Sequence, residues 1–81
     1  MKWQKLASRK LPKVGWRDVV KALGKKSFQV THQRGSHIYL TDEKKVHKVT
    51  VPRHDPIKTG TLLSIIEQAG LTRTEFIVLL D

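Results

Sequence analysis

Phe28-Gln29-Val30-Thr31-His32-Gln33-Arg34-Gly35-Ser36-His37-Ile38-Tyr39-Leu40 is the stretch on which the fold turns. Phe28 and Val30 alternate with Gln29 and Thr31, and Ile38 and Leu40 alternate with His37, Tyr39 and Thr41. A period of two marks strands with one buried and one wet face. Between the two runs, Gln33 to Ser36 turns the chain, with Gly35 supplying the backbone freedom. Asp42-Glu43-Lys44-Lys45 then reads as a polar hairpin loop, and Val46 to Val51 as a third strand that Pro52 stops. Three strands in meander order leave one apolar face in need of cover.

The flanking segments supply that cover. Upstream, Trp16, Val19, Val20 and Leu23 recur at i, i+3, i+4 and i+7, one face of an amphipathic helix. Asp18 lies in its first turn, where the helix dipole favours a negative charge, and Gly24 stands where a left-handed C-terminal cap belongs. Downstream, Leu62, Leu63, Ile65, Ile66 and Ala69 form a stripe starting near Thr61, with Thr59 or Thr61 as the cap and Gly70 as the stop. Thr72-Arg73-Thr74-Glu75 matches a capping box ahead of Phe76, Leu79 and Leu80. The expected fold is α+β: a three-stranded antiparallel sheet with helices on one face, in the order α-β-β-β-α plus a short C-terminal helix. That is the layout of double-stranded-RNA-binding domains. Residues 1–10 lack an apolar period and read as a basic N-terminal arm, leaving 11–81 as a single domain.

The 81 residues carry 16 Lys and Arg against 7 Asp and Glu, a formal charge of +9. More than half of the bases fall in residues 1–26, where Asp18 is the one acid; from Thr59 onward, Arg73 stands alone against Glu67, Glu75 and Asp81. A polyanion should therefore meet the first half, while the second builds core. There are no cysteines, so neither disulfides nor thiolate metal sites contribute. No stretch approaches the roughly 20 apolar residues of a membrane span, and Met1-Lys2-Trp3-Gln4-Lys5 has no apolar run behind it to make a signal peptide. The expectation is a soluble cytoplasmic protein with no membrane partner.

His37 is the candidate for chemistry. Histidine is the side chain that changes charge nearest neutrality. If Ile38 and Leu40 face the core, the pleat sends His37 to the open face, as a base on a sheet edge within a positive field. Gly35 and Ser36 leave no bulk beside it. One imidazole suits transesterification of RNA: it removes the ribose 2′-hydroxyl proton, the oxygen attacks the adjacent phosphorus, and cations stabilise the developing charge. Arg34, Lys48 and Arg53 are candidates for that role, with Lys25, Lys26 and the arm as phosphate contacts. The acid for the leaving oxygen stays open between His54, Tyr39 and His32. No metal or other cofactor is needed. The four histidines lack HExxH, paired helical spacing or a cysteine, which argues against zinc, and Ser36 cannot pair with the adjacent His37 as a nucleophile. With 6% aromatics and none paired among the bases, base stacking is disfavoured, and recognition by shape and phosphate is preferred. Trp16 belongs to the helix stripe, and Trp3 is outside any period.

Leu11-Pro12, Val20 to Leu23, Gln33 to His37, Val49 to His54, Lys58 to Leu62, Ala69 to Leu71 and Phe76 together resemble the HicA family of bacterial toxins over Leu11 to Leu80. In that family the Gly-Ser-His triplet carries the catalytic histidine, so the resemblance implies His37 as general base, supported by Gly35 and Ser36. It further implies an mRNA interferase that cleaves transcripts without a metal. Its partner would be the antitoxin HicB, covering the active-site region with a relatively acidic surface. Any DNA contact would be indirect, through that antitoxin. One departure is Val14-Gly15-Trp16, where family members commonly show Ser or Thr and Gly ahead of the first helix; a cap is weakened there.

Two other readings compete. A non-catalytic double-stranded-RNA-binding module presents a lysine-rich start to its final long helix, whereas Gly60-Thr61-Leu62-Leu63 here has only Lys58 nearby. A basic structural protein would explain the charge yet leave Gly35-Ser36-His37 without a purpose.

Overall fold

The computed structural model describes residues 11–81; the arm Met1 to Lys10, Trp3 included, lies outside the described residues. Helix α1 (Trp16–Gly24) leads into strands β1 (Gln29–Arg34), β2 (His37–Thr41) and β3 (Lys48–Pro52), followed by helices α2 (Thr59–Gln68) and α3 (Arg73–Leu79). The sheet is antiparallel throughout, in the order β1-β2-β3. This is the expected α+β arrangement, and it is consistent with the double-stranded-RNA-binding-domain layout.

The apolar periods meet in one core. Ile38 and Leu40 of β2 and Val49 and Val51 of β3 face Val19 and Leu23 of α1, Leu62, Ile65 and Ile66 of α2, and Phe76 of α3. Among the described residues no polar or charged side chain is buried, so the core carries no desolvation cost from unpaired groups. The helices lie over β3, and β1 is left exposed along its whole length. Edge strand β3 is sealed differently: the outward amide of Thr50 donates to Gln68 Oε1 of α2 at 3.0 Å, which removes one free donor from the rim.

Helix ends divide into foreseen and unforeseen. Thr72 and Glu75 form the capping box, Thr72 Oγ1 accepting from the Glu75 amide at 3.1 Å and Glu75 Oε1 from the Thr72 amide at 2.8 Å. Gly70 ends α2 with φ +71°. A Cβ there would sit 2.6 Å from His47 Nε2, so glycine serves both the conformation and the close approach. Two caps differ from expectation. Lys58, not Thr59 or Thr61, is the N-cap of α2, and no side chain caps it. Gly24 stays within α1; the left-handed residue is Ser27, at φ 67°. The chain reaches that position because the Lys25 and Lys26 amides still bond back to the last turn of the helix. At the start of α1, Gly15 has no side chain to cap with, and Asp18 compensates by accepting the Gly15 amide at 3.3 Å.

Strand β3 begins at Lys48, two residues later than the apolar pattern suggests. The Asp42 carboxylate accepts the amides of Val46 (2.8 Å) and His47 (3.1 Å) and meets His47 Nδ1 at 2.9 Å. Those amides are used up in the loop, and Val46 is left 70% exposed.

These contacts have measurable consequences. Gly24→Ala adds a methyl to open space in a helical residue and should raise stability by about 0.5–1 kcal/mol. Phe76→Ala, at a fully buried position, should cost about 3–5 kcal/mol, a large part of the roughly 5–15 kcal/mol typical of a domain. Denaturant melts of both variants check this pair. The hydrogen bond to His47, helped by two loop amides, holds the Asp42 carboxyl below its ordinary 3.8. A depressed carboxyl pKa stabilises the fold above the ordinary value and loses that contribution as pH falls through the folded value. Wild type should therefore lose melting temperature below about pH 4 more steeply than Asp42→Asn; superimposable curves of melting temperature against pH would contradict the assignment.

Candidate active site on the open face of the sheet

His37 opens β2, and β2 is the central strand, so the base stands mid-sheet beside the turn rather than on an edge. Its side chain is exposed while Ile38 and Leu40 are buried, as the pleat requires. The approach is a two-residue turn with Gly35 at φ +58°, the first central position at which a type II′ hairpin needs glycine. A Cβ on Gly35 would meet nothing; conformation, not space, selects glycine. Ser36 contributes its backbone: its carbonyl accepts the Arg53 amide at 2.7 Å, fastening the turn to the exit of β3.

Arg34 lies directly opposite His37 on β1, and Pro52 opposite on β3, so Arg34 shares its face with a Cβ separation of about 4.5–5.5 Å. Arg53 follows Pro52, and its guanidinium carbon lies 5.0 Å from the ring centroid of Trp16. Arg17 lies over the same ring at 4.7 Å. Trp16 is thus a half-buried platform holding two guanidinium groups beside this end of the sheet, a use the helix stripe does not reveal. Its amide donates to the His54 carbonyl at 3.0 Å, which draws His54 toward the start of α1.

The remaining bases stand elsewhere. Lys48 pairs with Thr41, four residues from His37 and about 13 Å along the strand at 3.3 Å per residue. Lys25 donates through Nζ to the Asp81 carbonyl. With Lys26 it borders a hollow shared with Asp42, Glu43 and Lys44, at the far end of the sheet. The fold therefore sets Arg34 beside His37, ties the Arg53 backbone to the same turn with its guanidinium on Trp16, and separates Lys25, Lys26 and Lys48 from His37.

Strand β1 holds the feature that the alternation does not predict. Counting by twos from Phe28 and Val30 sends His32 and Arg34 to the helix side. The register slips between Val30 and His32, however, and this bulge at Thr31 turns both onto the open face opposite Tyr39 and His37. The Thr31 hydroxyl donates to the Tyr39 carbonyl at 3.2 Å and lies 3.3 Å from His32 Nδ1. His32 and Tyr39 stack with centroids 4.4 Å apart and planes 8° from parallel. Paired rings, which the aromatic content argues against, are therefore present next to the candidate base. Val30 points to the helix side, but among the described residues no helix covers it, and it is 50% exposed. Beside the stacked rings a groove of about 570 Å³ runs to the Asp42–Glu43 corner. His47 faces Asp42 and Gly70 instead. Among the described residues no three potential metal ligands gather, and no helix is long and apolar enough to cross a membrane.

A family model described as the HicA toxin of bacterial toxin–antitoxin systems matches residues 16–71, from the first residue of α1 to the turn after α2. No curated protein matches the chain. The span is narrower than the resemblance from Leu11 to Leu80, leaving α3 outside, yet it contains the whole sheet, both turns and the face on which His37, Arg34 and the stacked rings are gathered. The chain belongs to the HicA family, the toxins of bacterial toxin–antitoxin pairs.

Proposed function

We propose that this toxin is an endoribonuclease that cleaves mRNA by transesterification, with His37 as general base. The observation that carries this reading is the exposed imidazole beside Arg34 on the central strand. His37 takes the proton of the ribose 2′-hydroxyl; the 2′-oxygen bonds to phosphorus as the bond to the 5′-oxygen breaks, leaving a 2′,3′-cyclic phosphate. The departing oxygen takes its proton from His32, Tyr39 or His54, of which His32 and Tyr39 stand on the same face as His37. Arg34 and Arg53 stabilise the charge gathering on the phosphoryl oxygens. DNA, lacking the 2′-hydroxyl, is not a substrate, and no step calls on a metal. Lys25, Lys26 and Lys48, distant from His37, serve as backbone contacts for a longer strand. A HicB-type antitoxin, acidic where it meets the basic end of the sheet, restrains the enzyme by covering that face.

The test is cleavage of an end-labelled single-stranded RNA in EDTA by the wild type and by His37→Ala. The wild type should cut, and the variant should be slower by about 10²–10⁴-fold with an unchanged thermal melt, since the residue is exposed. Collapse of the variant fold, or equal cutting by both, refutes the catalytic assignment; tight binding without cutting by either points to an RNA-binding module. Removing residues 1–10, which include four bases, should weaken RNA affinity and flatten its dependence on salt. An unaltered salt slope would exclude the arm as a phosphate contact.

A further inference from the structure

The groove beside the stacked pair is charge-balanced. Lys45 and Lys48 border it along with Asp42 and Glu43, and the Asp42 carboxylate is already committed to His47 and two amides. Such a groove has little hold on phosphate, in contrast to the arginine-rich end around His37. What it offers instead is a ring platform, His32 on Tyr39, with the amide of Gln29 and the hydroxyls of Thr41 and Thr50 along its walls. Stacking surface joined to neutral donors and acceptors is the chemistry that holds a nucleobase. Its volume of about 570 Å³ falls in the range of roughly 300–1,000 Å³ usual for small-molecule sites. Tyr39 lies two residues along β2 from His37 on the same face, about 6.6–6.8 Å away, comparable to one nucleotide of an extended strand.

From this division we propose that the groove is a base-binding subsite. It takes one unpaired nucleobase of the RNA adjacent to the scissile phosphate, stacked on the His32–Tyr39 pair and read at its edge by Gln29, Thr41 and Thr50. The proposal rests on the ribonuclease reading of His37 and adds to it a preference for single-stranded RNA, because a base inside a duplex must first be unpaired and unstacked to enter the groove. It also assigns a role to the bulge: the Thr31 hydroxyl, bonded to the Tyr39 carbonyl and adjacent to His32 Nδ1, is a positioning group that keeps both rings on the open face.

Two measurements on the full chain separate this proposal from the reading beneath it. The first is cleavage of a single-stranded RNA pool with randomised bases, comparing wild type, Tyr39→Leu, His32→Leu and Tyr39→Phe. The expected result is a base preference beside the cut that both leucine variants relax, with KM raised about tenfold; kcat falls in addition in whichever of the two removes the leaving-group acid. Tyr39→Phe, which keeps the ring, should retain the preference. Cleavage by the leucine variants with wild-type KM and preference overturns the subsite and leaves the nuclease reading standing. The second is a nuclear magnetic resonance titration of His37→Ala with a six-nucleotide single-stranded RNA and with the corresponding duplex. Ring signals of His32 and Tyr39 that shift with the single strand alone support the subsite even if the wild type proves unable to cut, the result that would sink the nuclease reading. Ring signals that stay still with RNA, or that move only with the antitoxin, overturn the proposal and assign the groove to protein.

Discussion

Each residue of β2 must point either into the core or away from it, and this constraint shapes the whole molecule. Ile38 and Leu40 enter the core with Val49 and Val51, and His37 and Tyr39 are thereby committed to the opposite face. The same burial that stabilises the domain thus presents the candidate base to substrate. A one-residue slip in β2 would exchange the two sets, costing the core and the site together. The tight turn at Gly35 and the Ser36–Arg53 backbone bond protect the register where it matters, at the end of the sheet carrying His37.

The face so exposed is divided in charge. Beside His37 stands Arg34, while Arg53 and Arg17 lie over the Trp16 ring of α1. Beyond Tyr39 the surface becomes balanced, ending at Asp42 and Glu43. The total of +9 thus does not describe any single patch, and Arg34 and the charge-balanced groove fall to different parts of the sheet face. The acidic corner is also structural, since Asp42 closes the β2–β3 loop, and His47 from that loop rests against Gly70 at the end of α2. The loop therefore ties the sheet to the helix layer at the end opposite the turn.

Much of this was legible in the residues. Periods of two and of 3.6 located the strands and the helices; the Thr72–Glu75 box and Gly70 marked real helix ends. Gly35-Ser36-His37 was legible as a turn that delivers an exposed histidine, because local turn chemistry and the pleat suffice to set His37 on the open face. Misread details share one cause. Gly24, the caps of α2 and the start of β3 depend on where a backbone amide finds a partner, and residues distant in sequence or competing side chains such as Asp42 supply it.

The sequence by itself determined the α+β order, the composition of the core, the family, and which side of its strand His37 occupies, since all of these follow from local patterns repeated along the chain. Only the tertiary structure decided what stands beside His37. The bulge at Thr31 inserts one residue that periodicity does not register, and it carries Arg34 and His32 from the helix side to the open face. Cross-strand register made a stack of two rings with no sequence adjacency, and packing of α1 brought Trp16 against Arg53. Pairings of this kind are set by alignment between strands and by helix docking, quantities that no count along a single strand contains.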